Sequence, residues 1–352
     1  MACWFGLQPA AVHAGVVSLQ PPEIEKLRVL LRSNPAAAAA FAPIREAANR
    51  ALAEQPDPIE KVVSEGHLAS DPNKIKTGVA LKDCAKIEAL GWTWAVTGNP
   101  QDLTQARAFL TAWARTNQSD GDPINETKFE SMIVAYDLMR SSFPEDERQL
   151  VDGWLRSKAE ALKSKRLRQN NWGAHEIKIV GLIGLTLDDQ SLTDWAIDHF
   201  KHQVAEEIKA DGATTDFYDR DALHYHIYTV EPLLVFARAA ERHGEKLFDY
   251  QAPSGSSLHT AVDFVVPFAE GRKAHIEFVN SKVKFDIERA KHGEGEYSHH
   301  PWEPKRSVGL FVEAAWFQPA YGALAARIAG SSTQSFLDWK SVLNAATRSA
   351  AP

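Results

Sequence analysis

Two short stretches of the chain concentrate side chains that can bind an acid and move a proton. The first is Asn170–His175, with the sequence NNWGAH, and the second is Arg220–Tyr228, with the sequence RDALHYHIY. Amide and guanidinium groups bind carboxylate oxygens through directed hydrogen bonds, and His and Tyr can accept or donate a proton. The sequence contains no G-x-S-x-G elbow, Walker loop or dinucleotide fingerprint. The pattern therefore favours carboxylate neutralisation with proton transfer over acyl, phosphoryl or hydride transfer.

The order of these residues matches the pattern of a known family. Asn170-Asn171 is followed by Ala222-Leu223-x-Tyr225-His226-x-Tyr228, which precedes Pro232-Leu233, and Asp122–Thr127 and Ala135–Leu138 fit the pattern upstream. On these motifs the chain resembles the alginate lyase superfamily from about residue 75 to residue 325. The resemblance implies an all-α fold, an incomplete α/α toroid. It also implies a polysaccharide lyase that cleaves a polyuronate by β-elimination and leaves unsaturated uronate ends.

The resemblance implies a catalytic role for Asn171, which would help to neutralise the uronate carboxylate. The family commonly has His at the next position, whereas this chain has Trp172. We predict that His175 supplies the imidazole instead, since Asn171 and His175 would share one face of a helix that begins at Asn171. The alternative is that Asn170 or Asn171 is only an N-cap and that His175 is a hydrogen-bonded core residue.

Tyr228 and Arg220 complete the predicted catalytic set. The family usually has Arg at the position of Asp221, but here the Arg is residue 220. On one continuous helix, residues 220, 224 and 228 would lie on nearly the same face, so Arg220 could reach the site. Pairing of Arg220 with a neighbouring aspartate on the surface is the alternative. We predict that a nearby cation lowers the pKa of Tyr228 from its usual value of about 10 and makes it a usable base.

Further residues are predicted to contact substrate: Asn170, Trp172, Tyr225, His226 and Arg168. Tyr225 and His226 could instead orient Tyr228, and Trp172 could stack on a sugar ring or be buried. Two basic runs could bind an anionic polymer or form solvated helix faces: Lys163, Lys165, Arg166 and Arg168, and Lys74 and Lys76. His224 matches no family position and is predicted to lie on the surface.

Composition limits the class of partner. The net charge of −7 implies no general affinity for nucleic acid or an anionic membrane, so an anionic polysaccharide would need a local basic patch. No run reaches the roughly 20 apolar residues of a membrane span. Residues 1–15 are predicted to be the remnant of a signal peptide, with Val12-His13-Ala14 before a cleavage site, which predicts a periplasmic or secreted protein. Residues 16–352 are predicted to form one catalytic domain.

Apolar periodicity predicts helices along most of the chain. A helix hairpin spans residues 81–113 and is interrupted by Gly98-Asn99-Pro100. Other predicted helices are Glu23–Leu31, Pro35–Ala53, Asn171–Leu185, Leu192–Ile208, Pro232–His243, Leu258–Phe268 and Val308–Ile328. Residues 271–285 could form a strand or a long loop. Successive hairpins without a fixed period disfavour a regular solenoid. The family resemblance implies the incomplete toroid, which we adopt.

The proposed chemistry leaves the polymer open. In mannuronate the C5 proton and the leaving group lie on one face, so Tyr228 could be both base and acid. Glucuronate and guluronate place them on opposite faces and would need a separate base such as His175, so alginate, polymannuronate and glucuronan all remain candidates. No cofactor or metal is required, and Glu294, Glu296, His299 and His300 have no recognisable ligand spacing, which favours a loop over the cleft.

Two other functions remain open from sequence. An α/α-barrel glycoside hydrolase would need two carboxylates roughly 6.5–9.5 Å apart if it inverts configuration. The candidates for that pair are Asp216, Asp219, Asp221 and Glu126. A non-catalytic polysaccharide-binding protein would keep the aromatic and basic residues without turnover.

Overall fold

The computed structural model describes residues 15–331 and 336–347. The predicted signal remnant therefore lies outside the described residues except for Gly15. The first helices are α1 Pro21–Ser33, α2 Pro35–Ala51, α3 Pro72–Ala80, α4 Lys82–Thr97, α5 Pro100–Thr116, α6 Pro123–Glu126, α7 Glu130–Met139, α8 Glu145–Lys163 and α9 Asn171–Leu187. The later ones are α10 Gln190–Glu207, α11 Thr215–Arg220, α12 Leu223–Arg242, α13 Leu258–Ala269, α14 Lys284–Lys291, α15 Val308–Ala314, α16 Pro319–Ala329 and α17 Trp339–Thr347.

The helices form an α/α toroid, as predicted. Its inner helices contact one another in the order α2, α4, α7, α9, α12, α15 and α17, and α17 packs against α1 and α2. Outside them, α5 packs on α4, α8 and α10 on α9, α13 on α12 and α16 on α15. Buried apolar side chains from Val17 to Ala346 form one contiguous cluster. This arrangement brings the first turns of α9 and α12 together, and those turns carry the two chemical stretches.

Two predicted helix boundaries are wrong for physical reasons. Pro232 does not begin a helix, because α12 runs through it from Leu223. Proline removes one backbone hydrogen bond, and the fully buried side chains of Leu233, Leu234 and Phe236 hold the helix in the core on the far side. The segment predicted as one helix from residue 308 to residue 328 is two, α15 and α16, separated before Pro319.

The described residues contain one small sheet, and the first of its two strands lies in the region 271–285 that was left ambiguous. Strand β1, Ile276–Glu277, pairs antiparallel with β2, His300–Pro301. The segment between them carries α14 and folds over the first turn of α12. Within residues 15–331 and 336–347, no helix is both long enough and apolar enough to cross a membrane.

Candidate active site

The first chemical stretch forms the beginning of α9. Asn170 is the N-cap, and its side-chain oxygen accepts a hydrogen bond from the backbone N–H of Trp172 at 3.1 Å. Gly173 allows the preceding loop to pass close to the helix, since a Cβ atom there would lie 2.0 Å from the carbonyl oxygen of Arg168. The N-cap alternative is therefore correct for Asn170, and Asn171 faces the interior.

Asp216 of α11 fixes the position of Asn171. The backbone N–H and the Nδ2 of Asn171 donate hydrogen bonds to the two oxygens of Asp216, at 2.5 and 2.9 Å. Thr229 Oγ1 also donates to Asp216, at 2.9 Å, and Arg220 Nε lies 3.6 Å from it. Burial raises the pKa of this carboxyl group, and these donors oppose the increase. The Nδ2 of Asn171 keeps a second N–H with which it can bind a ligand.

Arg220 reaches the site by a different route from the one predicted. Asp221 adopts a left-handed conformation, with φ of 49°, and separates α11 from α12, so residues 220–228 do not form the one continuous helix on which the reach of Arg220 was argued. The Arg220 guanidinium group stacks on the ring of Tyr225 at 3.7 Å and donates a hydrogen bond to Asp286 Oδ1 at 2.5 Å. Its charge is therefore shared between Asp216 and Asp286 behind the site.

A second buried carboxyl group, that of Glu207, contacts the backbone of Asp216. Glu207 is completely buried, and its Oε1 accepts a hydrogen bond from the backbone N–H of Asp216 at 3.2 Å. Burial, and after it the neighbouring charge of Asp216, raises the pKa of Glu207 from 4.5 to about 8. Glu207 is therefore mostly protonated in the folded protein at neutral pH.

Glu207→Gln should make the folded protein less sensitive to rising pH. In the wild type the unfolded chain releases the Glu207 proton above its ordinary pKa of 4.5, whereas the folded chain keeps it up to about 8. The stability that Glu207 contributes below pH 4.5 is thus lost as pH rises to 8, by roughly 4 kcal/mol. Urea unfolding of both proteins at pH 5 and pH 8 measures the difference. Parallel changes in the two proteins would contradict the assignment.

A cavity of about 240 Å³ lies between the first turns of α9 and α12, the α6 region, the loop around residue 65, and α14 with the turn at Tyr297. It is lined by Ser64, Glu65, Lys74, Ile124, Lys128, Asn171, Trp172, Arg220, His224, Tyr225, Tyr228, Arg289 and Tyr297. Three of the four predicted catalytic residues, Asn171, Arg220 and Tyr228, are brought together on its wall, and His175 is not. Trp172 and Tyr225, predicted to contact substrate, also line it.

Tyr228 presents a phenol that is protonated at rest. Its hydroxyl group has no hydrogen-bond partner among the described residues, and the side chain is half-buried. Burial raises the pKa of Tyr228, the nearby Glu65 and Tyr297 raise it further, and Arg289 opposes the increase. The prediction that Arg220 or an imidazolium lowers this pKa is therefore wrong, since burial outweighs the cation that is close enough to act.

His175 lies behind Tyr228 rather than on the cavity wall. The centroids of the two rings are 4.3 Å apart, and His175 is 4% exposed. Its Nδ1 is 2.9 Å from Thr127 Oγ1, whereas its Nε2 has no partner among the described residues. Burial, followed by the charges of Lys178 and Lys128, holds the pKa of His175 well below 6.5. The structure therefore gives a neutral imidazole that supports Tyr228, which differs from the predicted contact with the carboxylate.

His224 is the imidazole that faces the cavity. Its ring is nearly parallel to that of Tyr228, one helical turn away, with 6.3 Å between the centroids. Burial, followed by the charges of Arg306 and Arg220, lowers the pKa of His224 to about 4, so it is neutral at pH 7. The prediction of a surface histidine is wrong. The four-residue spacing between His224 and Tyr228 could have predicted this position, because residues four apart lie on the same face of a helix.

His226 points the other way. It is completely buried, its Nδ1 accepts a hydrogen bond from the backbone N–H of Thr214 at 3.2 Å, and its Nε2 lies 2.9 Å from the carbonyl oxygen of Ala261. On a helix, residue 226 is about 200° from residue 224, which places it on the opposite face. The predicted contact between His226 and substrate is therefore wrong.

The cavity wall carries cations that sequence reasoning missed. Lys128 is exposed and has no hydrogen-bond or ion-pair partner in the described part of the chain. Arg289 is 7% exposed, its Nη1 is 3.5 Å from the hydroxyl group of Tyr225, and its Nε lies 3.8 Å from Glu294 Oε2 without a hydrogen bond to a described residue. With Lys74 and Arg220, four cations and one carboxylate, Glu65, line the cavity. This excess of positive charge suits an anionic ligand.

A second depression, which we call the basic groove, adjoins the cavity. It measures about 650 Å³ and is lined by Gly121, Asp122, Pro123, Lys165, Arg166, Leu167, Arg168, Gln169, Asn170, Trp172 and Glu176. Trp172 lines both spaces, and the guanidinium group of Arg168 stacks on its ring at 3.7 Å. Lys163 of the predicted basic run does not line the groove, and it pairs with Glu160 at 3.3 Å.

The loop that contains Glu294 meets the opposite side of the cavity. Glu294 Oε1 accepts a hydrogen bond from the backbone N–H of Ala69 at 2.8 Å. No group of three or more His, Cys, Asp or Glu side chains in the described part of the chain is arranged to hold a metal ion.

Comparison with known families gives one match along much of the chain. The alginate lyase family model matches residues 32–275. A polysaccharide lyase of Stenotrophomonas maltophilia is 26% identical over 193 residues, which are 49% of this chain and 57% of that protein. An alginate lyase of Cobetia marina is 25% identical over 173 residues, 43% of this chain and 45% of that protein. The chain thus spans about half the length of these curated relatives.

Solved structures share the fold. An alginate lyase from Bacteroides ovatus superposes with a TM-score of 0.70 at 16% identity, covering 92% of this chain and 97% of that one. Alginate lyase A1-III from a Sphingomonas species gives a TM-score of 0.55 at 21% identity, covering 76% and 82%. A histidine-to-alanine variant of alginate lyase A1-III, complexed with a tetrasaccharide, gives 0.59 at 20% identity, covering 85% and 88%. At these identities the likeness establishes the α/α architecture.

Proposed function

The chain belongs to the alginate lyase family, as its motifs predicted, and we propose that it is a polysaccharide lyase that cleaves a polyuronate by β-elimination. The observation that carries this proposal is one cavity that combines an excess of cations with a neutral imidazole and a protonated phenol on adjacent turns of α12. An anionic polysaccharide is the substrate class that such a wall suits. A periplasmic or secreted location is part of the same proposal, and cell fractionation tests it.

Charge neutralisation is the first requirement of the reaction. Removing the C5 proton of a uronate places negative charge beside an existing carboxylate. Lys128, Arg289 and the second N–H of Asn171 can bind that carboxylate and stabilise the enolate-like transition state more than the ground state. Arg220 contributes less than the sequence suggested, because Asp216 and Asp286 already share its charge.

The protonation states at rest supply one base and one acid. Neutral His224 accepts the C5 proton, the C4–C5 double bond forms, and the C4–O4 bond breaks. Tyr228, which is protonated, donates its proton to the leaving O4. The imidazolium and phenolate that result return to their resting forms by proton transfer between them or through solvent. His175 supports Tyr228 from behind, and Thr127 fixes the orientation of its ring.

The stereochemistry follows from the position of these two groups. His224 and Tyr228 lie one turn apart on the same face of α12, so they approach a bound sugar from the same side. Elimination with proton and leaving group on one face matches mannuronate. We therefore propose polymannuronate, or mannuronate-rich alginate, as the substrate, in preference to glucuronan.

A comparison of polymers tests this assignment. The wild-type protein is incubated with polymannuronate, polyguluronate and glucuronan, and ultraviolet absorbance from unsaturated ends is followed. We expect the fastest rise with polymannuronate, at least about tenfold faster than with glucuronan, because only one face carries both proton-transfer groups. Faster cleavage of glucuronan would contradict polymannuronate as the substrate but would still support β-elimination. Reducing ends without absorbance would indicate a hydrolase.

The hydrolase alternative lacks its carboxylate pair. None of its four candidates lines the cavity. Glu126 is 2% exposed and pairs with Lys158 at 2.8 Å, and Asp216 is bound as described above. Asp221 accepts two hydrogen bonds from Asn280, and exposed Asp219 lies 3.5 Å from Lys282. A pure binding protein, the other alternative, would give no product with any of the polymers.

A further inference from the structure

The basic groove contains a buried acid that the reaction does not use. Glu176 of α9 is 3% exposed and lines the groove, yet its Oε1 has no hydrogen-bond partner among the described residues. Burial raises the pKa of Glu176 to about 7, and the nearby charges of Arg168 and Lys165 oppose the increase. A buried carboxyl oxygen without a partner destabilises a folded protein. The position of Glu176 is therefore not explained by a contribution to the stability of the fold.

The charges around Glu176 exclude a metal ion as its partner. Lys165, Arg166 and Arg168 line the same groove and would repel a cation. The other acid there, Asp122, already accepts hydrogen bonds from the backbone N–H groups of Ile124 and Asn125. A ligand for this groove must carry negative charge for the three cations and a hydrogen-bond donor for Glu176.

A uronate unit carries both groups, a carboxylate and several hydroxyls. The groove also lies where a second unit of the chain would fall, because Trp172 lines it and the catalytic cavity together. We propose that the basic groove binds a uronate unit beyond the one being cleaved, and that Glu176 selects it by accepting a hydrogen bond from a sugar hydroxyl group. This inference rests on the proposed function for its ligand class.

Binding of oligosaccharides of two lengths tests the groove. The Tyr228→Phe background slows turnover by about 10³-fold, and calorimetry measures the Kd of a mannuronate trimer and a mannuronate hexamer. Glu176→Leu should weaken hexamer binding about tenfold, the effect of one lost hydrogen bond in a desolvated site, and change trimer binding less than twofold. Glu176→Gln retains an acceptor and should stay close to the parent. Arg168→Ala should weaken hexamer binding as well.

Thermal unfolding separates ligand recognition from a structural role. Leu is close in size to Glu and removes the unpartnered oxygen, so Glu176→Leu should raise the Tm while it weakens hexamer binding. A structural Glu176 would instead give a lower Tm and equal losses for both oligosaccharides. Lys163→Ala, from the same basic run but outside the groove, is the matched control and should bind both oligosaccharides like the parent.

Two outcomes are distinguishable. Unchanged hexamer binding in Glu176→Leu and Arg168→Ala would overturn the groove assignment, even if the wild-type protein releases unsaturated ends from polymannuronate. Absence of unsaturated product from every polymer would overturn the proposed function, and the calorimetric comparison would still decide whether the groove binds uronates.

Discussion

Tyr228→Phe should leave the protein folded and lower kcat on its best polyuronate by about 10³-fold. The substitution removes the proton that the leaving O4 needs, and loss of a positioned general acid costs roughly 10²–10⁴ in rate. The phenol hydroxyl has no hydrogen-bond partner in the described part of the chain, so its removal leaves no buried group unsatisfied. Stability should therefore change by less than about 0.5 kcal/mol. Initial rates of absorbance increase and urea unfolding give the two numbers.

Tyr218→Phe is the matched control for this substitution. Tyr218 lies on α11, is 46% exposed, and donates its hydroxyl hydrogen bond to Asp211, away from the cavity. Its variant should keep wild-type kcat. If Tyr228→Phe retained more than about a tenth of wild-type activity, well above the loss expected for a general acid, Tyr228 would not be the proton donor.

Sequence patterns predicted the helices because helices and their apolar stripes are local properties, and the family resemblance implied the toroid. The predicted helix beginning at Asn171 agrees with α9, and Asn170 caps it through a hydrogen bond only two residues away. The beginning of α12 could not be predicted in the same way. Ala222 provides no side-chain cap, and the backbone N–H groups of Leu223 and His224 donate to the carboxylate of Glu277, which is more than fifty residues away.

The same limit applies to the cavity. Asn171 and Tyr228 belong to motifs that resemble the family, so they could be identified by their neighbours in the sequence. Arg289 lies on α14, just beyond the segment 271–285 whose apolar spacing was ambiguous, and Lys128 lies in a short 3₁₀ turn, Thr127–Phe129. Only the closed ring of helices brings these cations to Tyr228. The 100° rotation per residue of a helix would, however, have been enough to predict that His224 and His226 lie on opposite faces of α12.

Asp216 shows why the predicted arginine has a smaller role. Two cavity residues from different segments, Asn171 and Arg220, depend on this one carboxylate, and Thr229 ties it to α12. Asp216 does not line the cavity itself, and it accepts hydrogen bonds from a residue that does, Asn171. We therefore infer that it is a positioning residue. Its removal should disturb substrate binding and catalysis together, because Asn171 and Arg220 would lose their orientation at the same time.

Asp216→Asn should therefore lower kcat/KM by about 10²-fold and destabilise the fold by about 3 kcal/mol. The new amide group presents N–H groups toward Asn171, which is itself a hydrogen-bond donor. The substitution also leaves Arg220 with Asp286 as its one remaining carboxylate partner among the described residues. Breaking a buried charged network typically costs 3–5 kcal/mol. Steady-state kinetics and urea unfolding measure the two effects. Asp219→Asn, on the same helix but exposed and only loosely paired with Lys282 at 3.5 Å, should change neither quantity appreciably. If Asp216→Asn lost stability but kept kcat/KM, Asn171 would act without the orientation that Asp216 imposes, and its assignment to the carboxylate of the substrate would fail.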